Sequence, residues 1–225
     1  MSLCLSGPNF MSLFSFLKSD KPTYTDKVWR NKPMAWRGMI TEALKALTKN
    51  EIAIVFTFFD KTQQEIADFL KQSDAPYFQI TAELTGEAAR LEKVVFLCDT
   101  GLIHSTALQG LLTTWSNKTK LTFLFAGHYP LPSKEKPIIQ KLTTAFPKSE
   151  IIFCSSLDDP SFAIFGSDRM VDLLDKLGMK EDEAIEHAMV TKAMENARKK
   201  VESSVRSEIA ANSEEEWFDK NMKKK

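Results

Sequence analysis

Residues 94–126 read VVFLCDTGLIHSTALQGLLTTWSNKTKLTFLFA, and this stretch decides the fold. It opens on VVFLC (94–98) and closes on LTFLFA (121–126), two short, continuous apolar runs. Runs of this kind, bounded by polar residues, are strands buried on both faces of a sheet. Between them, residues 102–115 space their apolar side chains with the period of a helix.

The alternation continues outward in both directions. IAIVFTF (52–58), YFQIT (77–81) and IIFCS (151–155) read as further strands. Residues 32–48 place Trp36, Met39, Ile40, Ala43, Leu44 and Leu47 at helical spacing. Asp60 stands at a helix-cap position before 61–72, where Ile66, Phe69 and Leu70 share one face. Residues 133–146 contain a helix whose start Pro137 limits. Strands alternating with helices predict an α/β fold, a parallel sheet covered by helices on both faces. From Ser161 onward the chain reads as helical: one helix closes at Gly178, a second runs from Glu181 to about Val205, and a third covers 214–218. The expected organisation is a tail at 1–22, an α/β domain at 23–160 and a helical extension at 161–225.

Composition narrows the function. The 225 residues are 43% hydrophobic and 27% charged, enough for a sizeable core. Thirty Lys plus Arg balance thirty Asp plus Glu, which argues against a dedicated nucleic-acid binder. Cys4, Cys98 and Cys154 lack metal-ligand spacing and suggest a reducing compartment; the latter two end apolar runs, as buried inert thiols do. No apolar stretch approaches the roughly 20 residues that span a bilayer. The apolar MSLFSFL (11–17) belongs to the tail, where it packs on the domain, meets a partner or stays disordered.

Residues 162–202, FAIFGSDRMVDLLDKLGMKEDEAIEHAMVTKAMENARKKVE, carry the most specific signal. This run resembles the end of the second motor domain of SecA, the bacterial protein-translocation ATPase, where it joins a long scaffold helix. The resemblance continues upstream more weakly through 26–83, KVVFLCDTG and LTFLFAGHYP, so roughly 26–205 corresponds to the second RecA-like lobe and the scaffold's start. The family usually has proline where this chain has Ala188. Alanine permits continuity, so the expectation is an unbroken helix through 186–189.

The resemblance also shows what is missing. In SecA, hydrolysis takes place between two lobes, the first contributing a phosphate-wrapping G-x-x-x-x-G-K-[ST] loop that this sequence does not contain. The second lobe contributes a glycine-rich loop with aspartate and then arginines. CDTGLIHST keeps a faint trace of the former, and no arginine occurs between Arg90 and Arg169. An arginine finger is worth about 10³–10⁵ in rate. Lys134, Lys136 and Lys141 lack its planar fork. The implied object is a degenerate lobe.

Open parallel sheets bind ligands at the carboxyl ends of their strands. Thr57, Asp60, Asp99, Thr100, Gly101, His104, Gly127 and His128 would rim such a crevice, a candidate site for a small anion, nucleotide or peptide. The plainer alternative is a set of caps and turns. His104 and His187 have no second ligand at metal spacing, and Cys98 beside Asp99 has no assignable base. Asp168 and Arg169 read as an ion pair or cap. The stripe Ala184, Ile185, Ala188, Met189, Met194 and Ala197 reads as a face that packs on the domain, with Met189 and Met194 as candidate partner contacts. Trp217 and Phe218 look exposed among charges, either in a solvated tail or as anchors for a partner's pocket.

The leading expectation is a cytoplasmic interaction or regulatory protein related by descent to protein translocation. It has no catalytic or metal residues, a protein partner or a second copy of itself, no nucleic acid and no membrane span. The alternatives are a sensor that binds ATP or ADP without hydrolysis and an enzyme with repurposed chemistry at Asp99 or His104.

Overall fold

The computed structural model describes residues 23–165 and 182–222. The tail at 1–22 and the Asp168–Arg169 pair lie outside them. Six parallel strands form one sheet in the order β1-β6-β5-β2-β4-β3. They are β1 (Thr25–Trp29), β2 (Ile52–Thr57), β3 (Tyr77–Ile80), β4 (Val95–Asp99), β5 (Leu121–Ala126) and β6 (Glu150–Ser156). Val55 lies opposite Leu97 of β4 on one side and Leu124 of β5 on the other. The α/β class with a parallel sheet holds.

Alternation along the central strands feeds two cores. Ala53, Val55, Leu97, Leu124 and Ile152 face α1 (Lys32–Thr48) and α2 (Asp60–Gln72), meeting Met39, Ala43, Ile66 and Leu70. On the other face Phe56, Phe96, Phe123, Phe125 and Phe153 meet α4 (Thr106–Ser116) and α5 (Pro132–Ala145) through Leu108, Leu112, Trp115 and Leu142. A short α3 (Thr85–Ala88) adds Ala88 to that second core.

Three expectations are corrected, and one strand was missed. Strand β1 was not foreseen: TDKVW shows no continuous apolar run, because buried Asp26 and half-buried Lys27 precede buried Val28 and Trp29. Asp60 is the first residue of α2 rather than its cap, which is Phe59, so its carboxylate acts on the helix dipole. Pro137 does not limit the start of α5. The helix begins at Pro132, where a missing N–H costs nothing, and Pro137 lies on the solvent side of its second turn. The C-terminal helix, finally, is not continuous through 186–189. Helix α7 (Ala188–Ser204) starts at Ala188, and His187 caps it by accepting a hydrogen bond from the Met189 amide at 3.2 Å.

The cause of that break is visible at Ile185. Its amide donates to the Val28 carbonyl at 2.8 Å and its carbonyl accepts from Val28 at 3.1 Å. This antiparallel bridge covers part of the open edge of β1. Extended backbone at 185 cannot also be helical. Ile185 is buried with Val28, Leu157, Val190, Met194 and Phe162 of α6 (Pro160–Phe165).

Candidate functional site

All six strands run in parallel, so their carboxyl ends share one edge. There the residues expected to rim one crevice separate into groups. Thr57 and Asp99 are paired in register. Thr57 is fully buried, and its hydroxyl has no hydrogen-bond partner among the described residues. The Asp99 carboxylate accepts from the Gly101 amide at 2.6 Å and caps a 3-10 turn at Thr100–His104. A Cβ on Gly101 would lie 2.7 Å from that carboxylate, which is why glycine stands there. Burial raises the Asp99 pKa, the Gly101 amide opposes this and the charge of Asp60 adds to it. Thr100 is buried, Asp60 is exposed, and exposed His104 lies 3.3 Å from Lys141 on α5. In this half of the crevice Asp99 and Gly101 form a cap and turn.

Gly127 ends β5 with φ +81°, donating its amide to the Cys154 carbonyl at 2.8 Å. That left-handed turn delivers His128 into a buried charge network which sequence reasoning missed. His128 Nε2 contacts Asp26 of β1 at 3.0 Å, and Nδ1 contacts Glu135 of α5 at 2.9 Å. Arg198 of α7 reaches Glu135 at 2.7 Å and donates from Nε to the Tyr129 carbonyl at 3.1 Å. The imidazole lies flat on Phe153, ring centroids 4.1 Å apart.

Burial opposes charge on His128. Glu135 and Asp26 nevertheless hold its pKa above the ordinary value, against the opposing charge of Arg198. Burial likewise opposes ionisation of Glu135, but His128 and Arg198 lower its pKa. A signal was available: Arg198 falls in the buried stripe of Val190, Met194, Ala197 and Val201, and Glu135 falls in that of Ile139 and Leu142. A charge at such a position needs a buried partner.

The C-terminal helix α8 (Glu214–Asn221) covers the same edge. Ser213 caps it by accepting from the Glu216 amide at 3.1 Å, while Glu216 reaches back to the Asn212 amide at 2.7 Å. Trp217 is 0% exposed and packs with Phe218, Phe59, Leu131 and Val201. Trp217 and Phe218 are therefore buried within their own chain, correcting their exposed appearance. Met194 is buried too, whereas Met189 is 66% exposed.

Glu208 joins this cover to the lobe, accepting from Trp217 Nε1 at 2.9 Å and from the Tyr129 hydroxyl. Glu215 meets Lys32 at 2.9 Å and Lys61 at 3.6 Å. Although burial acts upward on Glu215, Lys32 holds its pKa at about 2. Under the cover, Asp159 and Glu214 line a cavity of about 10 Å³ with Lys32, Trp36, Thr62 and Gly127. That volume suits a single water. Burial raises both carboxyls, and each one's neighbouring acid adds to the effect.

Cys98 and Cys154 are buried free thiols. Burial lifts Cys98 to about 12 and raises Cys154 as well. No group of residues suited to holding a metal ion occurs among the described residues, and no helix among them is long and apolar enough to cross a membrane.

No family model matches the chain. SecA of Acidithiobacillus ferrooxidans is 67% identical over 51 residues, covering 23% of this chain and 6% of that protein. SecA of Desulfotalea psychrophila is 27% identical over 186 residues, covering 80% of this chain and 22% of that protein. One match is short and strong and the other long and weak, as the sequence resemblance implied. The chain thus spans about a fifth of this second relative. Domain 2 of the Mss116p DEAD-box helicase, solved bound to an RNA duplex, aligns with TM-score 0.40 at 13% identity, covering 76% of this chain and 67% of that one.

Proposed function

We propose that this chain is a non-catalytic interaction or regulatory module, related by descent to protein translocation and acting in the cytoplasm through a protein partner. One observation carries the reading: the strand-end edge beside β2 and β5 is covered by the chain's own α8, packed on Phe59, Tyr129 and Leu131. After β5, where the resemblance implies an arginine-rich segment, this chain has the Gly127 turn and the His128 network instead. The cavity beneath α8, about 10 Å³, is too small for a nucleotide. The balanced charge supports a protein partner over nucleic acid.

The test is phosphate release from ATP by the purified chain, with calorimetric titration of ATP, ADP and GTP at millimolar concentration. The expected result is no turnover and no heat. Turnover above the level of an identically purified blank would overturn the proposal, and nucleotide heat without turnover would favour the sensor.

A further inference from the structure

The seat of α8 is a socket of defined chemistry. Its floor is apolar and aromatic, made by Phe59, Tyr129, Leu131 and Val201. Its rim is basic, with Lys32 and Lys61 meeting Glu215, and Lys134 meeting Glu208 at 3.4 Å. The occupant matches it with three acids followed by two aromatics, Glu214 to Phe218. This aromatic cluster is distinct from the first core of the sheet and meets the second through Phe58.

Three features make the occupant releasable. No helix links α7 to α8, so residues 205–213 serve as a tether. The rim pairs on Glu215 are partly exposed, and such pairs hold weakly. Closing α8 also buries the Glu214 carboxyl in the same small cavity as Asp159, and taking that polar group out of water opposes closure.

We propose that this socket is a docking site for a partner's acidic helix with adjacent aromatic residues, which α8 occupies in cis and vacates when that helix binds. The inference rests on the protein-interaction reading above and names the chemistry of its partner. An aromatic anchor in an enclosed pocket supplies the affinity, and the basic rim selects acidic helices.

The test uses the full chain and a labelled peptide of residues 211–222, ANSEEEWFDKNM, as the stand-in helix. Fluorescence anisotropy compares the natural chain with one carrying Trp217→Ala and Phe218→Ala. The disarmed chain is expected to bind the peptide at least about tenfold more tightly, because its own tail no longer competes. A peptide with Glu215→Lys is expected to bind at least about fivefold more weakly. Equal binding by the two chains, binding by neither, or indifference to the charge reversal overturns the proposal.

Hydrogen exchange on the natural chain tests release without any substitution. Amides of α8 are expected to open far more often than those of β5, and equal protection overturns the proposal. A dimer that the double substitution abolishes would make the occupant a second copy, and release of α8 by ATP would make it a nucleotide; either outcome overturns the partner assignment. A null peptide result with no ATP turnover removes the docking site and leaves the non-catalytic reading intact.

Discussion

The residue that most separates this chain from a generic lobe is His128. Read in sequence, it belongs to a solvent-facing rim; in the fold it is buried between Asp26 and Glu135, with Arg198 closing the set. Removing one partner leaves a buried charge uncompensated. Arg198→Ala is expected to cost about 3–5 kcal/mol in urea unfolding. The network also sets a pH dependence. Because the folded His128 pKa lies above the ordinary 6.5, its contribution is complete below 6.5 and is lost as pH rises through the raised value. Because the folded Glu135 pKa lies below 4.5, its contribution is complete above 4.5 and is lost as pH falls. Urea midpoints measured across pH should therefore peak between these limits, and His128→Gln should flatten the alkaline limb. Sequence alone showed the histidine because a glycine-bearing loop after a strong strand draws attention. It hid the partners because Asp26, Glu135 and Arg198 come from three distant segments, and only the topology brings them together. Gly38 carries a similar hidden constraint: a Cβ there would lie 2.1 Å from the Trp29 ring. Gly38→Ala is expected to cost about 1–3 kcal/mol through overpacking, read from the thermal midpoint against the natural chain.

At the scale of elements, the strands that were legible are those buried on both faces. Strand β5 is apolar at five of its six positions because both cores and both neighbours enclose it. Strand β1 was illegible for a different reason: Asp26 is buried against His128 and Lys27 pairs with Glu42 and Glu186, so the strand shows no continuous apolar run. The start of α7 was misplaced because periodicity continues through 184–190 while the backbone does not. Ile185 is buried by strand pairing and Val190 by helix packing, two causes that leave one apolar pattern. The observed boundary has a consequence. Ala188 occupies the first helical position and follows His187 in extended conformation (φ −128°, ψ 128°), a geometry compatible with proline. Ala188→Pro is expected to be neutral or to stabilise by up to about 1 kcal/mol, measured by urea unfolding; a loss of several kcal/mol would mean that the helix continues upstream. Helix α8 was foreseen as a segment, but its burial was not. Charges flank Trp217 on both sides, and only Phe59, Leu131 and Val201 from elsewhere explain why it is enclosed.

The whole molecule adds the question of what its strand-end edge still recognises. Parallel topology, two cores and the long weak likeness to SecA were all readable because they depend on patterns repeated along the chain. What the edge does is not repeated anywhere, since it depends on a tail folding back onto strands more than 50 residues away. A ligand that binds only the folded chain raises its stability by RT ln(1 + [L]/Kd), about 2.7 kcal/mol at a hundredfold excess over Kd. If the edge retained a nucleotide site, magnesium and ATP at millimolar concentration would raise the melting temperature. The expected outcome is no shift, because α8 covers the strand ends beside β2 and β5, the sequence holds no G-x-x-x-x-G-K-[ST] loop and no arginine occurs between Arg90 and Arg169. High salt separates the two ways in which this could fail. Salt screens the exposed rim pairs of Lys32, Lys61 and Lys134, so α8 amides should exchange faster in high salt while those of β5 keep their protection. A melting temperature that rises with ATP only under those conditions would mean that a nucleotide site exists beneath the cover. One that stays flat in high and low salt alike would mean that no nucleotide site lies beneath the cover.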